Sequence, residues 1–130
     1  MIASIEKNKV IDILKGMGFH VQRIRRDRYI INKTNIIVLK YSQIYPDQNI
    51  TWFGLRESLF YKNKVDFVFF IIDNSNTVLV TPFESIKDIP NHVNLAPSNS
   101  TYEIHIDPVN YNINETQRNL NPYLNNYSQL

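Results

Sequence analysis

Cysteine is absent from this 130-residue sequence, which excludes disulfides and thiolate metal sites. Glycine is almost as scarce: Gly16, Gly18 and Gly54 complete the set, and their spacing forms no Gly-rich phosphate loop. The three histidines, His20, His92 and His105, have no ligand-like spacing and no cysteine to join. No apolar run approaches the roughly 18 residues of a membrane span, and no basic segment followed by an apolar one marks a signal peptide. A soluble, intracellular protein of the cytoplasm, with no membrane partner, is therefore expected. Asn-x-Ser/Thr sequons begin at Asn32, Asn49, Asn99, Asn114 and Asn126, a number that 17 asparagines produce by chance.

What is present suffices for a core. Hydrophobic residues make up 43% of the chain and aromatics 12%, enough for one compact domain over 1–130 and too little length for two. Charge is distributed unevenly behind a net +2. Residues 1–64 carry 12 Lys/Arg against 5 Asp/Glu, whereas residues 65–130 carry 2 against 7. The basic half contains "RIRRDR", in which Arg23, Arg25, Arg26 and Arg28 fall within six positions. Arginine forks pair with phosphate oxygens in a bidentate way, so the cluster is either a phosphate track or a solvated hairpin face.

Val10, Ile13, Leu14 and Met17 share one face at helical spacing, with Ser4 as the N-cap and Gly16 and Gly18 as the stop. Phe19 to Ile24 reads as a strand, and "RYII", "NKTN" and "IIVLK" as a hairpin with an Asn-rich turn. After a polar loop, "TWFGLRESLFYKN" offers Phe53, Leu55, Leu59 and Phe60 as the stripe of a short helix. "VDFVFFII", "DNSN" and "TVLVTP" form a second hairpin whose first strand is apolar on both faces. "FESIKDI" reads as one short helix and Tyr102 to Ile106 as a strand. Residues 107–130 have no sustained period yet are too apolar for a disordered linker, and are expected to wrap the core as an irregular tail with one helical turn. The layout is α/β or α+β, a central mixed sheet flanked by helices.

This order, with an opening helix and a hairpin strand that ends in lysine, resembles the restriction-endonuclease-like, or PD-(D/E)XK, nuclease superfamily. "IIVLKYSQ" is similar to its strand ending in Glu-x-Lys, and "TWFGLRES" to an aromatic-Phe-Gly-Leu-Arg segment of small members. "VDFVFFIIDNSNTVLVTPFESI" and "LNPYLNNYSQL" resemble its later hairpin and closing Tyr-Leu-Asn segment. The resemblance puts Lys40 on the motif lysine and Val38 where the Glu-x-Lys carboxylate belongs. Valine cannot bind a metal. The remaining acids in range are Asp27, among arginines, and Glu57, where a migrated carboxylate would stand.

A degenerate member of this kind implies a non-catalytic nucleic-acid-binding domain, with DNA as partner and no cofactor, alone or in a DNA-targeting or defence assembly. Arg23, Arg25, Arg26, Arg28, Lys33 and Lys40 would contact phosphates, and Trp52 and Arg56 bases or backbone. The enzyme alternative is a Mg²⁺-dependent endonuclease using Asp27 and Glu57 for metal and Lys40 for the attacking water. A further alternative is a scaffold subunit whose acidic half and Asn/Tyr tail dock on a protein partner or a second copy.

Overall fold

The computed structural model describes residues 1–62 and 64–130. The chain opens with helix α1 (Ile2–Gly16), which buries Glu6, Val10, Ile11 and Leu14. Its N-cap is Met1 rather than the expected Ser4, and Met17 is 52% exposed rather than part of the apolar face. The cause lies at the C-terminus. Gly18, at φ +93°, lets the amides of Gly18 and Phe19 turn back to the carbonyls of Lys15 and Leu14, which leaves Met17 outside the packed face. This Schellman closure also brings Phe19 back against the cluster that contains Leu14.

Strands β1 (Val21–Arg25), β2 (Arg28–Ile31) and β3 (Asn35–Ser42) form an antiparallel meander. Then β4 (Phe53–Arg56) and α2 (Ser58–Tyr61) lead to β5 (Phe67–Ile72), β6 (Val78–Pro82) and β7 (Thr101–Ile104). Among the described residues, the large sheet runs β1-β2-β3-β5-β6, with β3 at its centre and parallel to β5. A parallel pair requires a crossover, and residues 43–66 supply it, carrying β4 and α2 across one face. Asp66 fastens the start of the pair: its Oδ2 accepts from the Ile36 amide at 2.8 Å, and its own amide donates to the Ile36 carbonyl at 2.8 Å.

The segment around Phe53 departs from the expected helix. Phe53 and Leu55 are buried while Gly54 and Arg56 are exposed, a period of two, and β4 pairs antiparallel with β7. Only Ser58–Tyr61 is helical, and Asn63, the last residue of that expected helix, lies outside the described residues. Likewise "FESIKDI" contributes a 3₁₀ turn at Phe83–Ser85 and the start of another at Ile89–Asn91, not one helix.

The architecture is α+β. On one face of the large sheet, Val10, Ile11 and Leu14 of α1 meet Ile37, Leu39, Phe69, Ile71 and Val80. On the other, Val38, Val68, Phe70 and Leu79 meet Phe53, Leu55, Tyr102 and Ile104 of the two-stranded sheet, with Ile86, Ile89, Ile106, Ile113 and Leu120 filling in. The second face is covered by strands and turns rather than by the flanking helices that the sequence pattern predicts. Every residue of β5 is buried, which agrees with its unbroken apolar run. The tail crosses this face with one 3₁₀ turn at Asn121–Tyr123. Leu124 bridges to Leu79, and Asn125 takes both backbone groups of Val78, its Oδ1 accepting at 2.9 Å and its backbone N–H donating to the carbonyl.

Candidate nucleic-acid interface

Cross-strand register explains which arginines gather. Arg28 pairs with Val38, and Val38 with Val68, so these side chains share the face turned toward β4. The β1–β2 turn consists of Arg26 and Asp27, the latter at φ +64°, a conformation that Asp tolerates better than most residues. A bulge at Ile24 shifts the register of β1 between Arg23 and Arg25. Arg25 is thereby paired with Arg28, while Arg23 is paired with Tyr29, in the row of Ile37 and Phe67 on the α1 face. The bulge splits "RIRRDR" between two sides of the sheet.

A hollow of about 470 Å³ lies where the cover over the second face stops short of the β1–β2 hairpin. Arg25, Arg26, Asp27 and Arg28 wall one side, Val38 and Lys40 of β3 form the floor, and Arg56, Ser58 and Leu59 close the far side. Five bases thus face one acid, and that acid is engaged elsewhere: Lys7 Nζ of α1 donates to Asp27 Oδ1 at 3.0 Å. Among the described residues none of the five bases has a carboxylate partner, although Lys64, Lys87 and Arg118 elsewhere do. Arg28 Nη1 reaches the Lys64 carbonyl at 3.4 Å. Burial, and then the charge of Arg25, push the Arg28 guanidinium below its ordinary pKa. Burial pushes the Lys40 ammonium down as well; Asp27 opposes that shift, and Lys7, Arg56 and Arg26 reinforce it. Such a concentration of unpaired positive charge around a partly desolvated floor favours an anion.

Of the residues singled out from the sequence, Arg25, Arg26, Asp27, Arg28, Lys40 and Arg56 are brought together here, with Val38 beside them. Arg23 is not, for the register reason above; its Nε donates to the Arg25 carbonyl at 3.3 Å. Lys33 occupies the β2–β3 turn, at the opposite end of β2 from Arg28. Trp52 is half-exposed and stacks on His105, ring centroids 5.9 Å apart, outside the lining of the hollow. Phe53 is core, edge-on to Phe70 at 4.9 Å. Glu57 lines a second hollow of about 510 Å³, together with Tyr61, Lys62, Asn99 and Ser100, which adjoins the first through Arg56 and Ser58. Lys7, Ser58 and Leu59 carry no sequence signal for this role, because only the tertiary fold sets them around Lys40.

The donors do not suit Mg²⁺. Asp27 is tied to Lys7 among arginines, Glu57 faces the neighbouring hollow, and Val38 offers no oxygen. Among the described residues no group of three or more His, Cys, Asp or Glu side chains is placed to hold a metal ion, and no helix is long and apolar enough to cross a membrane. Comparison with protein-family models, with curated proteins and with solved structures finds no match to this chain, so its geometry alone carries the functional reading.

Proposed function

We propose that the chain is a non-catalytic nucleic-acid-binding domain, with DNA as its partner, on a degenerate restriction-endonuclease-like scaffold that works alone or within a DNA-targeting assembly. The observation that carries this reading is the convergence of Arg25, Arg26, Arg28, Lys40 and Arg56 on one hollow without a carboxylate free to neutralise them. An opening helix and a lysine near the end of the central strand of a mixed sheet support the scaffold resemblance. Val38 in the floor, and a donor set unsuited to Mg²⁺, favour binding over hydrolysis.

Binding to duplex and single-stranded DNA and RNA, followed across a salt series, tests the reading. With about three to five phosphates engaged, affinity for duplex DNA should fall with a log–log slope of roughly −3 to −4.5. The Arg25→Gln/Arg28→Gln double variant should lower the magnitude of that slope by about 2. Absence of binding to all four at low salt would falsify the proposal. In Mg²⁺ or Mn²⁺, wild type and Lys40→Ala should show the same negligible cleavage. Cleavage that depends on Lys40 would instead establish a nuclease.

A further inference from the structure

The basic residues of the first hollow converge on it from three separate elements. They come from the β1–β2 hairpin, β3 and the end of β4, and they surround Lys40. The two bases that would extend a track away on the hairpin side do not do so: Arg23 pairs across to Tyr29 on the other face, and Lys33 sits at the far end of β2. On the other side the hollow adjoins a second one through Arg56 and Ser58, which line both.

That second hollow has a different chemistry. Its wall includes Tyr61, 64% exposed, with its hydroxyl 3.4 Å from that of Tyr102. Asn99 and Ser100 add polar edges, Lys62 and the shared Arg56 add cations, and Glu57 adds an acceptor of the kind that pairs with an exocyclic amino group. The Glu57 carboxylate suits the amino edge of a base. An exposed ring offers a stacking face, which only an unpaired base can use.

Charge decides between an internal phosphate and an end. A phosphodiester carries one negative charge, whereas a phosphomonoester carries about −1.5 to −2 at neutral pH. Five bases gathered on one hollow, none with a carboxylate partner among the described residues, match the larger charge, and the adjoining hollow gives the strand a direction in which to leave. Resting on the nucleic-acid reading above, we infer that the first hollow takes the terminal phosphomonoester of a single strand and the second takes its first nucleoside. The phosphate sits over Lys40 between Arg28 and Arg56, and the first base lies against Tyr61.

The test compares one short single-stranded DNA carrying a 5′-phosphate, a 3′-phosphate or neither, titrated into the full chain at fixed salt. One phosphorylated form should bind about tenfold more tightly than the unphosphorylated strand, the scale of one or two additional charge-assisted hydrogen bonds. That preference should shrink as pH falls below the second phosphate ionisation near about 6. Arg56→Gln, at an exposed strand position, and Lys40→Met should each bring the ratio of the two affinities close to one. Tyr61→Ala should weaken all three strands by about tenfold through lost stacking. Equal, salt-dependent binding of all three strands overturns the end-recognition inference and leaves the DNA-binding proposal standing. No binding of any of the three overturns the end-recognition inference, and if the duplexes and RNA of the preceding test are not bound either, both fall. A nucleoside monophosphate that competes as well as the phosphorylated strand overturns the assignment to a nucleic-acid end.

Discussion

Val38 and Lys40 lie two residues apart on the same face of β3, and they make opposite demands on their surroundings. Val38 is buried against Val68 and contributes to the core, whereas Lys40 brings a cation to the edge of that core without a carboxylate partner among the described residues. An uncompensated, largely desolvated charge costs stability, so Lys40→Met should stabilise the fold by about 1 kcal/mol while phosphate binding is lost. Thermal melts paired with binding measurements check both halves. Because folding lowers the lysine's affinity for its proton, the unfolded chain holds that proton more tightly. The stability contributed at this position therefore rises with pH between the lowered value and the ordinary lysine value of about 10.4, and Lys40→Met should flatten that rise. Two glycines give a second contrast. Gly18 has φ +93°, so Gly18→Ala should cost about 1 kcal/mol or more. At Gly54 an added Cβ would meet Thr101 at an ordinary 3.7 Å, so Gly54→Ala should be neutral or slightly stabilising in the same melts.

At the scale of elements, two contacts hold the sheet's partners in place. Glu6 of α1 is buried, and its Oε1 accepts from the Ser75 amide at 2.8 Å, which fastens the helix to the β5–β6 turn. That hydrogen bond, with Lys9 adding to it, holds the carboxyl below its ordinary pKa against the opposing effect of burial. The stabilisation is present above the unfolded carboxyl value and is lost as pH falls through the lowered folded one. Wild type should thus exceed Glu6→Gln in melting temperature near neutrality, and the gap should close in acid. Deleting residues 125–130 removes both Asn125 bonds to Val78 and the packing of Tyr127 on Phe69, at a cost of about 3 kcal/mol in denaturant titrations. The elements differ in how far they can be read from sequence. The buried run of β5, the Asn-rich β2–β3 turn and the wrapping tail have local signals strong enough to identify. β4 does not, because Leu59 and Phe60 suit a helix while Phe53 and Leu55 suit a strand. Its partner β7 lies more than 40 residues away and decides the matter. In the site, Lys40 and most of "RIRRDR" are legible as a basic cluster. The bulge at Ile24 that excludes Arg23, and the chain path that brings Arg56 opposite Arg28, arise only from pairing.

Across the whole molecule, the basic half of the sequence becomes the hairpin, the floor and one wall of the groove, and the acidic half supplies the strands and turns beyond it. Glu84, Asp88, Glu103, Asp107 and Glu115 all come from that second half. Behind a net charge of only +2, the sheet order sets the strands of the basic half, β1 to β3, to one side of β5 and β6 from the acidic half, and a polyanion would approach groove first. Association rates measured by stopped flow should fall about tenfold or more between roughly 20 and 200 mM salt, far more than dissociation rates rise. The sheet's edges are treated differently: the tail covers the start of β6, whereas β1 remains an outer strand bent by its bulge and lined with arginines, which discourages pairing with another chain. The ion pair between Lys7 and Asp27 spans this organisation, joining the helix on one face to the rim of the groove on the other. By keeping the rim carboxylate occupied, α1 prevents it from neutralising the arginines beside it. Lys7→Met would release Asp27 as a resident competitor for them, so a residue that does not line the groove governs how strongly the groove attracts anions.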